Sequence, residues 1–253
     1  MPKPRTRKIR NLLSVDFDFF FPTERTDQLM DWGHAESGLF MGPILWQIRA
    51  AAFLQHGREL PRCQGLEGFW QRFRFAPDAV LFYTDSHSQA AHPIVHLGVN
   101  GLVTNFDAHH DLGYHPKALE RLRKDGRIDC ANWLLFYQDL VGLPTRVILP
   151  AWMKDIEDEQ ARGQEVGAEV IRDDGSDLPE EYGRIFVARS GAWTPSWCDD
   201  QFAELIAACP VATKVDLGEM QGHPPLAPRE FDRALAETHA ADWKAQAEAR
   251  MAS

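Results

Sequence analysis

The sequence predicts an α/β fold: a single three-layer domain in which a mostly parallel sheet carries helices on both faces. Short runs rich in Val, Leu, Ile and Phe alternate along the chain with longer segments of helical periodicity, the pattern of repeated strand–helix–strand units. Acidic and imidazole side chains cluster directly after three of the apolar runs, and in open α/β sheets ligands sit outside the carboxyl ends of the strands. A chain of 253 residues, 44% hydrophobic and 25% charged, can bury one substantial core, and no Pro/Gly/Ser-rich linker, repeat or low-complexity tract divides it. Residues 11–253 are therefore expected to form one domain. A basic arm over residues 1–10, containing Lys3, Arg5, Arg7, Lys8 and Arg10, would precede it as a solvated segment.

Asn11–Phe17 reads as a buried strand, and Pro43–His56 as a helix with Ile44, Leu45, Ile48, Ala52 and Phe53 at helical spacing. Ala79–Tyr83 and Gly101–Phe106 are the next strands. Helical stretches follow at Ser88–His92, Lys117–Lys124 and Ala131–Val141, then a strand at Thr145–Leu149. The alternation continues with a strand at Ile185–Ala188, a helix over Asp199–Ala208, a strand at Val211–Val215 and a C-terminal helix from Pro228 to about Met251. That last helix, rich in Ala, Glu and Arg, could pack on the domain or mediate self-association into a homo-oligomer.

The net charge of −10 argues against a nucleic-acid partner, whose phosphates require a positive face, and is compatible with a cationic substrate. No segment approaches the roughly 18 uninterrupted apolar residues of a membrane span. The N-terminus lacks the apolar centre of a signal peptide, so a soluble, cytoplasmic protein is expected, with no membrane partner. Cys63, Cys130, Cys198 and Cys209 show no C-x-x-C spacing, which predicts free thiols rather than a zinc knuckle or a disulfide framework.

The chemistry concentrates in Asn105-Phe106-Asp107-Ala108-His109-His110-Asp111. In an extended segment residues i, i+2 and i+4 point the same way, so Asp107, His109 and Asp111 could converge at a strand end. Ser14-Val15-Asp16-Phe17-Asp18-Phe19 repeats the device with two carboxylates, and Thr84-Asp85-Ser86-His87 adds a second imidazole after Ala79–Tyr83. Asp16, Asp18, His87, Asp107, His109 and Asp111 are thus the candidate metal ligands. An oxygen-rich set with two imidazoles suits Mn²⁺ better than a thiolate-preferring ion. Taken one at a time, an Asp at a strand end is as well explained as a helix cap.

These residues also carry a family resemblance. Asp107-Ala108-His109-His110-Asp111 resembles the D-A-H-x-D motif of the arginase and agmatinase (ureohydrolase) superfamily. Ser14-Val15-Asp16-Phe17-Asp18 resembles its S-x-D-x-D strand, and Asp85-Ser86-His87-Ser88 its G-G-D-H-S motif with one residue inserted. The D-x-D strand comes first here, whereas it follows D-A-H-x-D in ordinary arginases, an order that circular permutation would produce. With Ala131-Asn132-Trp133 and Leu149-Pro150-Ala151-Trp152, the set looks most like the peptide arginases, which convert arginine side chains of a ribosomally made precursor peptide to ornithine. The resemblance covers residues 11–152, and beyond them chiefly Arg189-Ser190-Gly191-Ala192-Trp193-Thr194-Pro195.

The resemblance implies an arginase-like fold and two Mn²⁺ per chain. His87 and Asp111 would serve one ion, His109 and Asp18 the other, with Asp107 and Asp16 bridging, and the site would act on an arginine-containing precursor peptide. From the chemistry alone, Glu36 is the candidate guanidinium partner and His34 the candidate proton donor. Helix capping by Glu36 or Ser37 and a surface His34 are the competing readings. His110 and His115 compete as proton carrier, and Glu219 as guanidinium partner. Arginases acting on free arginine carry an Asn two residues after the last Asp of D-A-H-x-D, where this chain has Gly113, a departure that favours a peptide. Asn132 could then hydrogen-bond a substrate backbone. Trp133, Trp152, Trp193 and Trp197 offer flat contact area, with core packing as the alternative for each.

Other readings stay open at this level. They are an arginase or agmatinase acting on a small free guanidino compound, a related mononuclear zinc deacetylase, a phosphohydrolase using His87, His110, Asp111 and Asp129, and a non-enzymatic peptide binder with a decayed metal site.

Overall fold

In the computed structural model, which describes residues 9–22, 42–218 and 232–251, the apolar runs become the strands of one parallel sheet. β1 (Asn11–Asp16), β2 (Arg74–Thr84), β3 (Val103–Phe106), β4 (Thr145–Leu149), β5 (Glu169–Arg172), β6 (Glu181–Ala188) and β7 (Thr213–Asp216) lie in the order β5-β4-β3-β1-β6-β2-β7. Every neighbouring pair is parallel. β1 is central and apolar on both faces, as a strand covered on both sides must be. Leu13 and Val15 point to one core with Leu81, Phe106, Ile148, Ile185 and Val187, whereas Leu12 points to the other with Phe82, Val103, Val147 and Phe186.

Helices α1 (Gly42–Gln55), α2 (Pro93–His96), α3 (Ala118–Asp125), α4 (Trp133–Leu135), α5 (Glu157–Val166), α6 (Asp199–Ala208) and α7 (Arg233–Met251) complete the described chain. α6 closes the first core with Leu205 and Ile206, beside the aromatic cluster of Phe69, Trp70 and Phe73. α2, α3 and α4 close the second with Val95, Leu122, Trp133, Leu134 and Leu135. The sheet is therefore the middle of three layers. α1 and α7 pack on each other around Ala50, Ala51 and Ala236. Among the described residues, no helix is long and apolar enough to cross a membrane.

The differences from the sequence expectation have local causes. β2 begins at Arg74 rather than Ala79, and its register against β6 shifts between Phe75 and Val80, around Pro77, which cannot donate to a ladder. The helix expected over Ala131–Val141 is short α4 followed by a π-helical turn, Phe136–Val141. α5 and β5 were not anticipated at all. Arg10, grouped by sequence with the basic arm, is docked: its backbone N–H donates to Asn100 Oδ1 at 2.8 Å and its guanidinium to Asp78 at 2.7 Å.

Register is what positions the site. Val15 lies opposite Phe106, Asp16 opposite Ala188, and Thr84 opposite Ala188, so the chain leaves β1, β3, β6 and β2 at one level. Four adjacent strand ends thus deliver Asp16–Asp18, Asp107–Asp111, Arg189–Ser190 and Asp85–His87 to the same place.

Candidate metal centre

Asp16, Asp18, His87, Asp107 and Asp111 are buried at this edge of the sheet, with His109 partly open beside them. His87 Nδ1 sits 3.0 Å from Asp16 Oδ2, 3.1 Å from Asp107 Oδ2 and 3.2 Å from Asp111 Oδ2. His109 Nδ1 lies 2.8 Å from Asp18 Oδ2 and 3.5 Å from Asp107 Oδ1. Two metal-type groups result, Asp16–His87–Asp107 and Asp18–Asp107–His109, each with its ligand atoms within 4.8 Å of one another. Asp107 belongs to both, so its two oxygens face two different imidazoles.

The cluster is incomplete as a set of protein–protein contacts. Despite the short approaches, His87 Nδ1 and Asp18 Oδ2 are buried without a hydrogen bond of normal geometry. Buried polar atoms in that state usually have an absent partner. Among the described residues, the ion-pair partners of these carboxylates are the two imidazoles alone, with no Lys or Arg. Four buried carboxylates facing two imidazoles are a strongly negative pocket, and a divalent cation is the partner that such donors fit.

The titration of the groups follows from this crowding. Burial, then the carboxylates of Asp16 and Asp107, push Asp18 up to about 7. Burial would raise Asp107 too, but the adjacent imidazoles of His109 and His87 outweigh it and hold that carboxyl well below its usual range. Burial alone would lower His87; the carboxylates of Asp107, Asp111 and Asp16 prevail and raise it. In the absence of a cation, protons take its place.

Neighbouring side chains fix the ligands. Asn105 donates to Asp107 Oδ2 at 3.0 Å, Ser190 Oγ to Asp16 Oδ2 at 2.6 Å, and the Trp133 indole to Asp111 Oδ2 at 2.6 Å. Ser14 Oγ lies 2.7 Å from His87 Nε2, the nitrogen that faces away from the carboxylates. Phe186 of β6 stacks under the His87 ring at 5.9 Å. Asp111 and Ser190 are the two described non-glycine residues with left-handed φ, at 50° and 49°. Such strain, about 1–3 kcal/mol each, concentrates at functional sites.

No protein-family model, no curated protein and no solved structure matches this chain.

The six sequence-predicted ligands come together, while the other assignments fare variously. His34, Glu36 and Glu219 lie outside the described residues. Asn132 ties its own loop together: its amide oxygen accepts from the Asp129 N–H at 3.0 Å and its amide nitrogen donates to Arg127 O at 3.3 Å. Trp133 stands against the ligands. It is fully buried, bonded to Asp111 and packed 4.7 Å from the His87 ring, where it forms a wall of the centre. Trp193 is half-buried and lies over His109, 4.7 Å between rings. Trp152 and Trp197 donate to the carbonyls of Phe19 and Pro61.

His110, a rival proton carrier, is buried and stacked on Tyr114, with Nδ1 accepting from its own loop at Leu112. Burial first, then His109 and Arg162, push its pKa down to about 4, which disfavours the imidazolium form. His115 is exposed and accepts from the Lys117 N–H ahead of α3. The grouping of His87, His110, Asp111 and Asp129 does not form, because His110 turns into its loop and Asp129 caps the Ala131 N–H.

Sequence reasoning missed Ser14, Asn105 and Ser190 as ligand supports. For Ser14 and Asn105 the signal was present, since each stands two residues before a ligand Asp and so shares its strand face.

Proposed function

We propose that the protein is a manganese-dependent hydrolase that converts arginine residues of a ribosomally made precursor peptide to ornithine with release of urea. The observation that carries this reading is the pair of buried ligand groups sharing Asp107. Four carboxylates and two neutral imidazoles carry four negative charges, which two divalent ions neutralise. Asp16, His87, Asp107 and Asp111 would hold one, and Asp18, Asp107 and His109 the other, with Asp16 reaching between them. Such a pair of ions supplies Lewis acidity and a water of lowered pKa.

The chain's own residues would do the rest. Trp193 beside His109 gives a planar cation a flat apolar wall. The net reaction adds one water across the guanidinium carbon, breaks the bond from that carbon to the side-chain nitrogen, and leaves a protonated amine and urea. Glu36 as guanidinium partner and His34 as proton donor to the leaving amine are the assignments to test.

A peptide is favoured over free arginine by Gly113. Its φ is +75°, and a Cβ there would stand 2.4 Å from Ala118 Cβ and 3.0 Å from Leu135 Cδ1. The Asn that holds the α-carboxylate in free-arginine enzymes therefore has no room at this position. The test is mass spectrometry of arginine-containing peptides, with free L-arginine and agmatine alongside, incubated with the Mn²⁺-loaded protein. We expect a loss of about 42 Da per arginine, abolished by chelation and restored by Mn²⁺ better than by Zn²⁺. Faster turnover of free arginine than of any peptide would move the assignment to a small-molecule arginase, and no change in any guanidino compound would remove it.

A further inference from the structure

The loop after β6 reaches the centre, and helix α1 packs on the outer side of that loop. Ser190 Oγ donates to Asp16 Oδ2 at 2.6 Å, and Trp193 lies over His109, so two ligands in different ligand groups lean on five consecutive residues. The loop begins as an extension of the sheet, with Arg189 and Ser190 N–H bonded to the Thr84 and Asp85 carbonyls at 2.9 and 3.0 Å. It then turns sharply, with Trp193 and Thr194 N–H both returning to Ser190 O. Its outer carbonyls face α1: Trp46 Nε1 donates to Gly191 O at 2.8 Å, and the Arg49 guanidinium donates to Ala192 O.

Arg49 is an unusual residue to find there. It is 7% exposed, and its guanidinium carbon lies 5.0 Å from the Trp46 ring centroid and 5.7 Å from that of Trp193. Burial pushes its pKa down to about 10. Among the described residues its partners are a carbonyl and two indoles, and an apolar side chain would fill the same space without desolvating a charge. Its effect is specific: the guanidinium fixes the one ring that covers His109 and the one carbonyl next to that ring.

We infer that Arg49 is a positioning residue for the metal centre, acting through the Ser190–Thr194 loop, which it locks so that Ser190 aligns Asp16 and Trp193 covers His109. The inference rests on reading the cluster as a metal site. It makes α1 the element that sets metal affinity, although α1 contributes no ligand.

The test is calorimetric titration of the metal-free full chain with Mn²⁺, together with the visible spectrum of the Co²⁺-loaded protein. Ser190→Ala, the milder change, should weaken binding about 10-fold, and Arg49→Ala about 10–100-fold, the range for partners that orient ligands. Millimolar guanidinium should restore part of the affinity to Arg49→Ala and none to Ser190→Ala. Tyr182→Phe, which removes a buried hydrogen bond to Thr104 at the opposite end of the strands, serves as a control for general destabilisation and should bind as wild type does. Wild-type affinity and an unchanged Co²⁺ spectrum in Arg49→Ala, whatever its melting temperature, would overturn the inference. So would an equal loss in Tyr182→Phe. Absence of metal binding by the wild-type chain would instead bring down the metal reading itself.

Discussion

Asp18 and Asp107 lie in one cluster and titrate in opposite directions, because Asp107 has two imidazoles to share and Asp18 has two carboxylates for neighbours. Asp18, raised from 3.8 to about 7 by burial and by Asp16 and Asp107, binds a proton in the folded metal-free chain that the unfolded chain has already released. Its contribution to metal-free stability therefore falls as pH rises from about 4 to 7 and stays lost above that. Asp18→Asn should relieve this: in chelator at pH 8 the variant should be about 2–4 kcal/mol more stable than wild type, with the gap closing toward pH 4. With Mn²⁺ present the order should reverse, since an amide cannot supply the charge. Urea melts at both pH values, with and without chelator, check the sign, and a variant no more stable than wild type at pH 8 in chelator would refute the argument. The ligands themselves were legible in the sequence because strand periodicity puts acid and imidazole at every second position. Ser190 and Arg49 were not, because a Ser after a strand and an Arg in a helix are ordinary residues until the sheet order sets them beside Asp16 and Trp193.

The elements were readable where burial is symmetrical. β4 and α6 fall at the residues expected, since Thr145–Leu149 ends in the β-forming run Val-Ile-Leu and Asp199–Ala208 has helical spacing with acids in its first turn. α5 and β5 were invisible for the converse reason. Glu157–Val166 is mostly charged or polar, and Glu169–Arg172 is a four-residue edge strand with charge at both ends. The turn after Asp111 depends on a single small residue. Gly113 donates to Ala131 O at 2.7 Å while Arg162 of α5 donates twice to Leu112 O, at 3.0 and 2.8 Å, so the turn cannot shift to make room for a side chain. Gly113→Ala should lose about 2–3 kcal/mol, from the left-handed φ and the contact with Ala118 together. That corresponds to roughly 5–10 °C in Tm for a chain of this size. A melting temperature within a degree of wild type would mean that the turn yields more easily than its contacts indicate.

At the scale of the whole molecule, a cation bound by the cluster adds its binding free energy to that of folding. An ion present at a thousandfold excess over its Kd contributes about 4 kcal/mol to the folded state. Saturating Mn²⁺ should therefore raise Tm by roughly 10 °C per ion over the chelated protein, and scanning calorimetry that finds no shift would exclude a site of useful affinity. The sheet order also bears on how the molecule comes into being. All six ligands lie within the first 111 residues, yet β2, which brings His87, is not a neighbour of β1; β6, residues 181–188, stands between them. During synthesis a chain that has emerged as far as β4 already carries every donor and still cannot gather all of them. Asp18, Asp107 and His109 follow β1 and β3, which pair directly. His87 can join Asp16 and Asp107 only after a strand made some seventy residues after the last of the six, so a truncated chain ending before β6 would leave the ribosome with one of its two groups unassembled.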